Sequence, residues 1–335
     1  MLRRLRMLKR PGYLGAGTTC LLLGGMAAGA AIGHALPAGG QWLGERMDAT
    51  LLLLVVLLLF GVRFGAIVKA LGHVRFIGIV LAVNFVLIPA VGYAIAAAFL
   101  NAHPLFMVGL AIYFMSPCTD WVLGFTRLAD GNVALGAALI PINMLVQLLL
   151  YPLYLSLFTR HLVPVEGTLI AGTLLQWFLL PLAVAVIAHF MLRLSLGDAR
   201  FGRLLAWIDR LTPWVVALLV AQIFADNIAV ILEHGAVFGR VLAAVFVFFL
   251  ATFLLGEWVS RGARLAYPEH ALLTMTTAAR NAPLMLAVTM TALPGQPLIH
   301  AAIVIGMLLE FPHLTLLRHL LLHSKRSPAH GRLHS

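Results

Sequence analysis

Ten apolar stretches follow one another through this chain, each near the roughly 20 helical residues that cross a hydrocarbon core about 30 Å thick. They fall near 13–35, 49–68, 74–100, 104–126, 132–158, 167–192, 204–225, 236–259, 270–292 and 297–322. Backbone N–H and C=O groups in lipid must pair within their own segment, so each stretch is expected to be a helix. Composition agrees: 62% of the 335 residues are hydrophobic and 10% charged, against roughly 25% charged in a soluble domain. The expected fold is an all-α integral membrane protein with ten transmembrane helices.

In a soluble protein the formal charge of +11 would suggest a nucleic-acid partner, but here the basic residues report topology. With the N-terminus inside, eighteen of the twenty-three Lys and Arg residues fall on the cytoplasmic side, and the outer loops hold only Arg46, Arg160 and Arg240. Both termini are therefore expected in the cytoplasm of a cell whose plasma membrane the chain spans many times. The expected partners are the lipid bilayer, a small solute and coupling protons; no nucleic acid is implied, and no oligomeric state is assigned. Cys20 and Cys118 both fall in apolar spans and do not suggest a disulfide scaffold. His323, His330 and His334 read as a solvated polar tail.

A shift of 160 residues lays spans one to five over spans six to ten and brings Tyr151-Pro152 onto Phe311-Pro312. A repeat with an odd number of crossings must enter from the opposite side the second time, so the two halves are expected to be inverted. The divisions are a basic N-terminus over 1–12, a first five-helix repeat over 13–160, a second over 165–322, and a tail over 323–335.

Spans four and nine carry the chemistry. Ser116-Pro117-Cys118-Thr119-Asp120 interrupts one and Arg280-Asn281-Ala282-Pro283 the other, with Asp120 and Arg280 standing 160 positions apart. A proline frees a backbone carbonyl, and an ionisable group in lipid is costly, so both features belong beside protein or a watery cavity. Matching interruptions in two halves imply a central transport site. Ser116-Pro117 reads as an N-cap with proline at the first helical position, which puts Cys118 in the first turn of a second half-helix. A thiolate prefers thiophilic species, which makes Cys118 a ligand for a trivalent metalloid or soft metal. Asp120 and Arg280 can pair with each other, lock the crossing, or serve transport. Glu310 is a third intramembrane acid and suits a proton carrier. Ser116, Thr119, Asn143 and Asn281, with Cys118 and Arg280, are the expected substrate contacts. Gln147, Gln176, Thr276 and Thr277 supply further neutral polar groups that hold helices together, and Asn84 with Pro89 reads as a feature of helix packing. Absent any nucleotide-binding loop or soluble domain, an ion gradient is the expected energy source, no cofactor is implied, and no nucleophile and base mark an enzyme.

The stretch from Ser116 to Tyr154, SPCTDWVLGFTRLADGNVALGAALIPINMLVQLLLYPLY, resembles spans four and five of the bile acid:sodium symporter superfamily. VNFVLIPAVGYAI is similar to its third span, and TTAARNAPLMLAVTMTALP with IVIGMLLEFPHL to its ninth and tenth. Cys118 brings the chain closer to the arsenical-resistance branch, the arsenite exporters. The resemblance implies an inverted-repeat fold with a panel and a core, broken helices crossing at spans four and nine, and alternating access. It implies arsenite or antimonite as substrate, Cys118 as the conserved thiol, Glu310 as the tenth-span acid, and Asn143 and Gln147 as polar positions of span five. The pattern departs from the exporters at Arg280 and Pro283, and resembles the bacterial arsenic resistance proteins in its Pro-Cys-x-Asp motif and Arg-Asn pair. A cation at Arg280 opposes a nearby sodium ion unless Asp120 neutralises it, which favours protons as the coupling ion. The alternative is a sodium- or proton-coupled transporter of a small organic anion, with Arg280 meeting the carboxylate.

Overall fold

The computed structural model describes residues 11–60, 72–118, 122–159 and 180–326. All regular elements among them are helical: α1 (Pro11–Ala35), α2 (Pro37–Gly44), α3 (Met47–Phe60), α4 (Val74–Ala82), a π-helical turn (Val83–Leu87) and α5 (Ile88–Leu100). After these come α6 (Pro104–Phe114), α7 (Val122–Leu128), α8 (Val133–Thr159), α9 (Leu180–Glu233) and α10 (Gly235–Gly262). The chain closes with α11 (Tyr267–Ala278), α12 (Ala282–Ala292) and α13 (Pro297–Arg326). Among the described residues, five helices are long and apolar enough to cross a membrane: Val74–Leu100, Val133–Phe158, Ala199–Glu233, Gly235–Gly262 and Pro297–Lys325. The expected basic N-terminus, most of span six and the end of the tail lie outside the described residues.

Proline and glycine set the boundaries. Pro37, Pro104 and Pro297 open α2, α6 and α13, where the missing N–H has no helical acceptor to lose. The helical run of α9 passes through Gly197 at φ 71, a left-handed conformation that glycine adopts without a Cβ penalty, and this break falls between the expected sixth and seventh spans. Pro89 cannot donate to the carbonyl of Phe85, one turn earlier, and the freed carbonyl accepts the Tyr154 hydroxyl. A buried hydroxyl on α8 thus anchors the irregular turn between α4 and α5.

The helices fall into two packing groups. In the first, α1, α2 and α3 pack on α9; in the second, α5, α6, α10, α11, α12 and α13 pack on one another, with α7 against α8 and α11. Contacts of α13 with α1 and α9, and of α12 with α3, join the groups. Along α1, Gly25, Gly29 and Gly33 lie against the backbone of Ala217, Ala221 and Ala225 on α9, and a Cβ at Gly25 would sit 2.6 Å from the Ala217 carbonyl oxygen. The contact advances by one turn on both helices at each step, so α1 and this part of α9 run parallel. Small residues at such a seam let two helix backbones meet, which is the main source of helix association where lipid is as apolar as leucine. Trp207, Trp214, Phe246, Leu194 and Trp258 point outward and are more than half exposed, the apolar exterior of a protein solvated by lipid.

Candidate functional site

Both interrupted spans are broken at the expected places. In the stretch expected as span four, helix ends at Phe114 and the next described helix begins at Val122; in that expected as span nine, helix ends at Ala278 and begins again at Ala282. The two interruptions run antiparallel as a single β-bridge between Pro117 and Arg280. The Cys118 N–H donates to the Ala279 carbonyl at 3.0 Å, and the Asn281 N–H donates to the Ser116 carbonyl at 2.8 Å. Backbone groups released by each broken helix are therefore satisfied by the other, as burial demands.

This pairing corrects one expectation. Ser116 and Pro117 do not open a half-helix, and Cys118 is not in a first helical turn; all three lie in the extended crossing. The Ser116 hydroxyl turns back to the Ile112 carbonyl at 2.9 Å and fastens the end of α6. Cys118 is 1% exposed, is not disulfide-bonded, and packs among Val122, Phe125, Met275, Ala278 and Phe311. Its thiol thus sits at the crossing, on an apolar side of it. Thr119 and Asp120 lie outside the described residues, as does Gln176.

Among the described residues Arg280 is the largest fully buried side chain, at 0% exposure. Its Nη1 donates to the Phe114 carbonyl at 2.8 Å, and its Nη2 donates to the carbonyls of Thr276, at 3.0 Å, and Thr277. These are the last carbonyls of α6 and α11, so one guanidinium neutralises the negative ends of both broken helices. The ring of Phe248, 5.7 Å from the guanidinium carbon and stacked on Phe114, covers it from the side of α10. Glu310 on α13, also 0% exposed, accepts the Arg280 backbone N–H at 3.0 Å. Tyr113, Cys118, Arg280 and Glu310 lie within electrostatic reach of one another. Asn281 caps α12, its side chain accepting from the Leu284 N–H at 3.4 Å.

A second group of polar side chains adjoins the crossing. The Thr276 hydroxyl accepts from the side-chain amides of Asn84 in the π-helical turn and Asn143 on α8, each at 3.4 Å. Gln147 follows Asn143 by one turn of α8 and is 2% exposed. The sequence reads Asn84, a carboxamide five positions before Pro89, as a feature of helix packing. Only the structure brings it to Thr276. Towards the other end of α7, the Tyr267 hydroxyl donates to the Ala129 carbonyl at 2.9 Å, Arg318 to that of Leu128 at 3.2 Å, and Lys325 pairs with Asp130 at 2.9 Å. α7, α11 and α13 are fastened together there. Among the described residues no group of three or more His, Cys, Asp or Glu side chains gathers as a metal site.

Residues 49–257 match the Sodium Bile acid symporter family, a stretch that contains the first broken helix and ends before the second. A probable chloroplastic sodium/metabolite cotransporter, BASS2 of Oryza sativa subsp. japonica, is 27% identical over 186 residues. That alignment covers 55% of this chain and 42% of the rice protein, so the chain spans less than half of its relative's length. With most of its length matched, and with apolar helices that mark a multi-pass membrane protein, the chain belongs to the sodium bile acid symporter family, a family of transporters.

Proposed function

We propose that this protein is a secondary transporter of the cell membrane that exports trivalent arsenite, and antimonite with it, in exchange for protons, with both termini in the cytoplasm. The observation that carries the proposal is the buried grouping of a thiol, Cys118, and a carboxyl group, Glu310, around a crossing of two broken helices. Two interruptions 160 positions apart that meet in space support two inverted five-helix repeats over 13–160 and 165–322. Arsenite is mostly an uncharged trihydroxide at neutral pH, so membrane potential alone does little to expel it and a coupled ion is needed. Cys118 is a soft ligand for the metalloid, and Ser116, Thr119, Asn143, Arg280 and Asn281 are assigned as its polar contacts. Glu310, with Asp120, is assigned the proton. The guanidinium of Arg280 is a fixed cation at the crossing, and its charge disfavours a sodium ion beside it.

The arsenite assignment is tested in a bacterial strain lacking arsenite exporters. Expression of the protein is expected to restore growth on arsenite, and Cys118→Ser to return tolerance to that of the empty strain. Equal tolerance with and without the protein removes arsenite as substrate.

Proton coupling makes a separate prediction. A glutamine at position 310 keeps an oxygen to accept the Arg280 N–H but cannot carry a proton. Glu310→Gln is therefore expected to fold and to exchange labelled for unlabelled substrate in proteoliposomes, yet to show no uptake driven by a pH gradient. Gradient-driven uptake at the parental rate would move the proton to another group.

The second reading, sodium-coupled transport of a small organic anion, is favoured by the printed name of the rice relative. Against it, the two guanidinium nitrogens of Arg280 that donate are engaged by backbone carbonyls and would have to leave them to meet a carboxylate. Sodium-dependent uptake of labelled carboxylic acids into vesicles, unaffected by Cys118→Ser, would establish it.

A further inference from the structure

We infer that Asn84, Asn143, Gln147 and Thr276 form a recognition site for a small uncharged solute bearing several hydroxyl groups. Three elements converge there: the π-helical turn, α8 and α11. The four side chains are 0%, 1%, 2% and 2% exposed. The Thr276 hydroxyl takes one amide donor from each asparagine, and this leaves Asn84 Oδ1, Asn143 Oδ1 and both polar ends of Gln147 without a hydrogen-bond partner among the described residues. Buried amides are almost always paired, so four unpaired polar atoms on one set of neighbouring side chains are a departure that calls for a function. A π-helical turn in an otherwise regular span is a second sign of one, since such turns cost hydrogen-bond geometry and cluster at functional sites.

The chemistry selects the ligand. The free valences are three amide oxygens, which accept, and one amide NH₂, which donates. Three acceptors fit a solute with three O–H groups, and the NH₂ meets one of its oxygen lone pairs. An anion would face those three oxygens with no cationic donor on the four residues. A metal cation would sit beside Thr276, whose carbonyl already holds the Arg280 guanidinium, and would be repelled by it. A neutral trihydroxide suffers neither penalty. Arsenous acid is such a molecule, so the identity of the natural solute rests on the proposed function, whereas the hydroxyl-binding chemistry does not. Under that reading the carboxamides hold the hydroxyl groups of the solute while Cys118, on the apolar side of α11, is a separate contact.

Boric acid separates the two contributions, because it is an uncharged trihydroxide at neutral pH and does not react with thiols. The full-length protein, purified in a detergent without a sugar headgroup, is titrated with boric acid while its thermal unfolding is followed. Saturable stabilisation is expected in the parent and equally in Cys118→Ser. Gln147→Met keeps the side-chain length and removes both unpaired polar ends. It is expected to unfold at or above the parental temperature without ligand and to bind boric acid at least about tenfold more weakly, the loss of two or more neutral hydrogen bonds. Asn84→Ala is expected to weaken binding in the same direction. No stabilisation of the parent by boric acid, or an unchanged response in Gln147→Met, overturns the site. A saturable response to sodium chloride over choline chloride that disappears in Gln147→Met also overturns it, in favour of a cation. If boric acid binding follows Gln147 while no arsenite transport is found, the site stands and the arsenite assignment falls. If arsenite is transported and boric acid neither stabilises the protein nor competes, the reverse holds.

Discussion

Arg280→Leu is expected to unfold at a much lower temperature than the parent and to transport nothing. The guanidinium is the common partner of three carbonyls, those of Phe114, Thr276 and Thr277, at the ends of two helices that face each other across the crossing. A buried carbonyl that loses its partner keeps its full desolvation cost, and removal of a buried, hydrogen-bonded charge destabilises by about 3–5 kcal/mol. The leucine side chain fills some of the volume but offers no donor. The negative ends of α6 and α11 would then lie close together with no cation between them. The buried carboxyl of Glu310 would also lose a positive charge within electrostatic reach. Arg280→Lys retains the charge but presents it as a compact ammonium on a flexible stem rather than a planar fork, and is expected to fall between parent and leucine variant. Thermal unfolding of the three proteins in one detergent is the measurement. An unfolding temperature for Arg280→Leu equal to that of the parent would show that the crossing holds without its cation.

Sequence carried the gross plan of this site and lost its details in an orderly way. Prolines and ionisable residues within apolar spans are so unfavourable in lipid that Pro117, Arg280 and Pro283 marked both helix breaks, and the structure interrupts the helices at Pro117 and Arg280 with Pro283 in the first turn of α12. Burial of Glu310 followed from its place in an apolar span in the same way. Partner choice was hidden, because it depends on distances across the fold. The Arg280 guanidinium meets three main-chain carbonyls, which no pattern of side chains announces, while the expected pairing with Asp120 falls outside the described residues. Ser116-Pro117 has the local signature of a helix start, but pairing with Ala279 and Asn281 keeps that segment extended. Asn281, expected at the site, also caps α12, a local role its position two residues before Pro283 does not announce. Asn84 reads as packing and reaches the polar group shared with Asn143. For Ser116 and Asn84 the cause is shared: local sequence does not say what a short polar residue will meet, and only tertiary placement decides it.

Gly29→Leu is expected to be the most damaging substitution outside the crossing. Gly29 is buried where α1 meets α9, and a Cβ there would meet the carbonyl oxygen of Ala221, main chain that no rotamer change can move. The two helices must separate, and because Gly25 and Gly33 make equivalent contacts with Ala217 and Ala225, separation at one turn loosens the whole seam. Overpacking in a rigid core costs about 1–3 kcal/mol, and this seam has the further loss of close backbone approach, the principal attraction between helices in lipid. Gly24→Leu is the matched control, since it adds the same side chain on the same helix at an exposed position with nothing within 4 Å of its Cβ. Thermal unfolding is expected to fall sharply for the first and to stay near the parental value for the second. Neither α1 nor α9 contributes a residue to the crossing, so transport by Gly29→Leu is expected to fail with stability and to recover in part at low temperature, whereas Arg280→Leu stays inactive at every temperature. Equal stability of the two glycine variants would mean that α1 does not rest on α9 along this stripe.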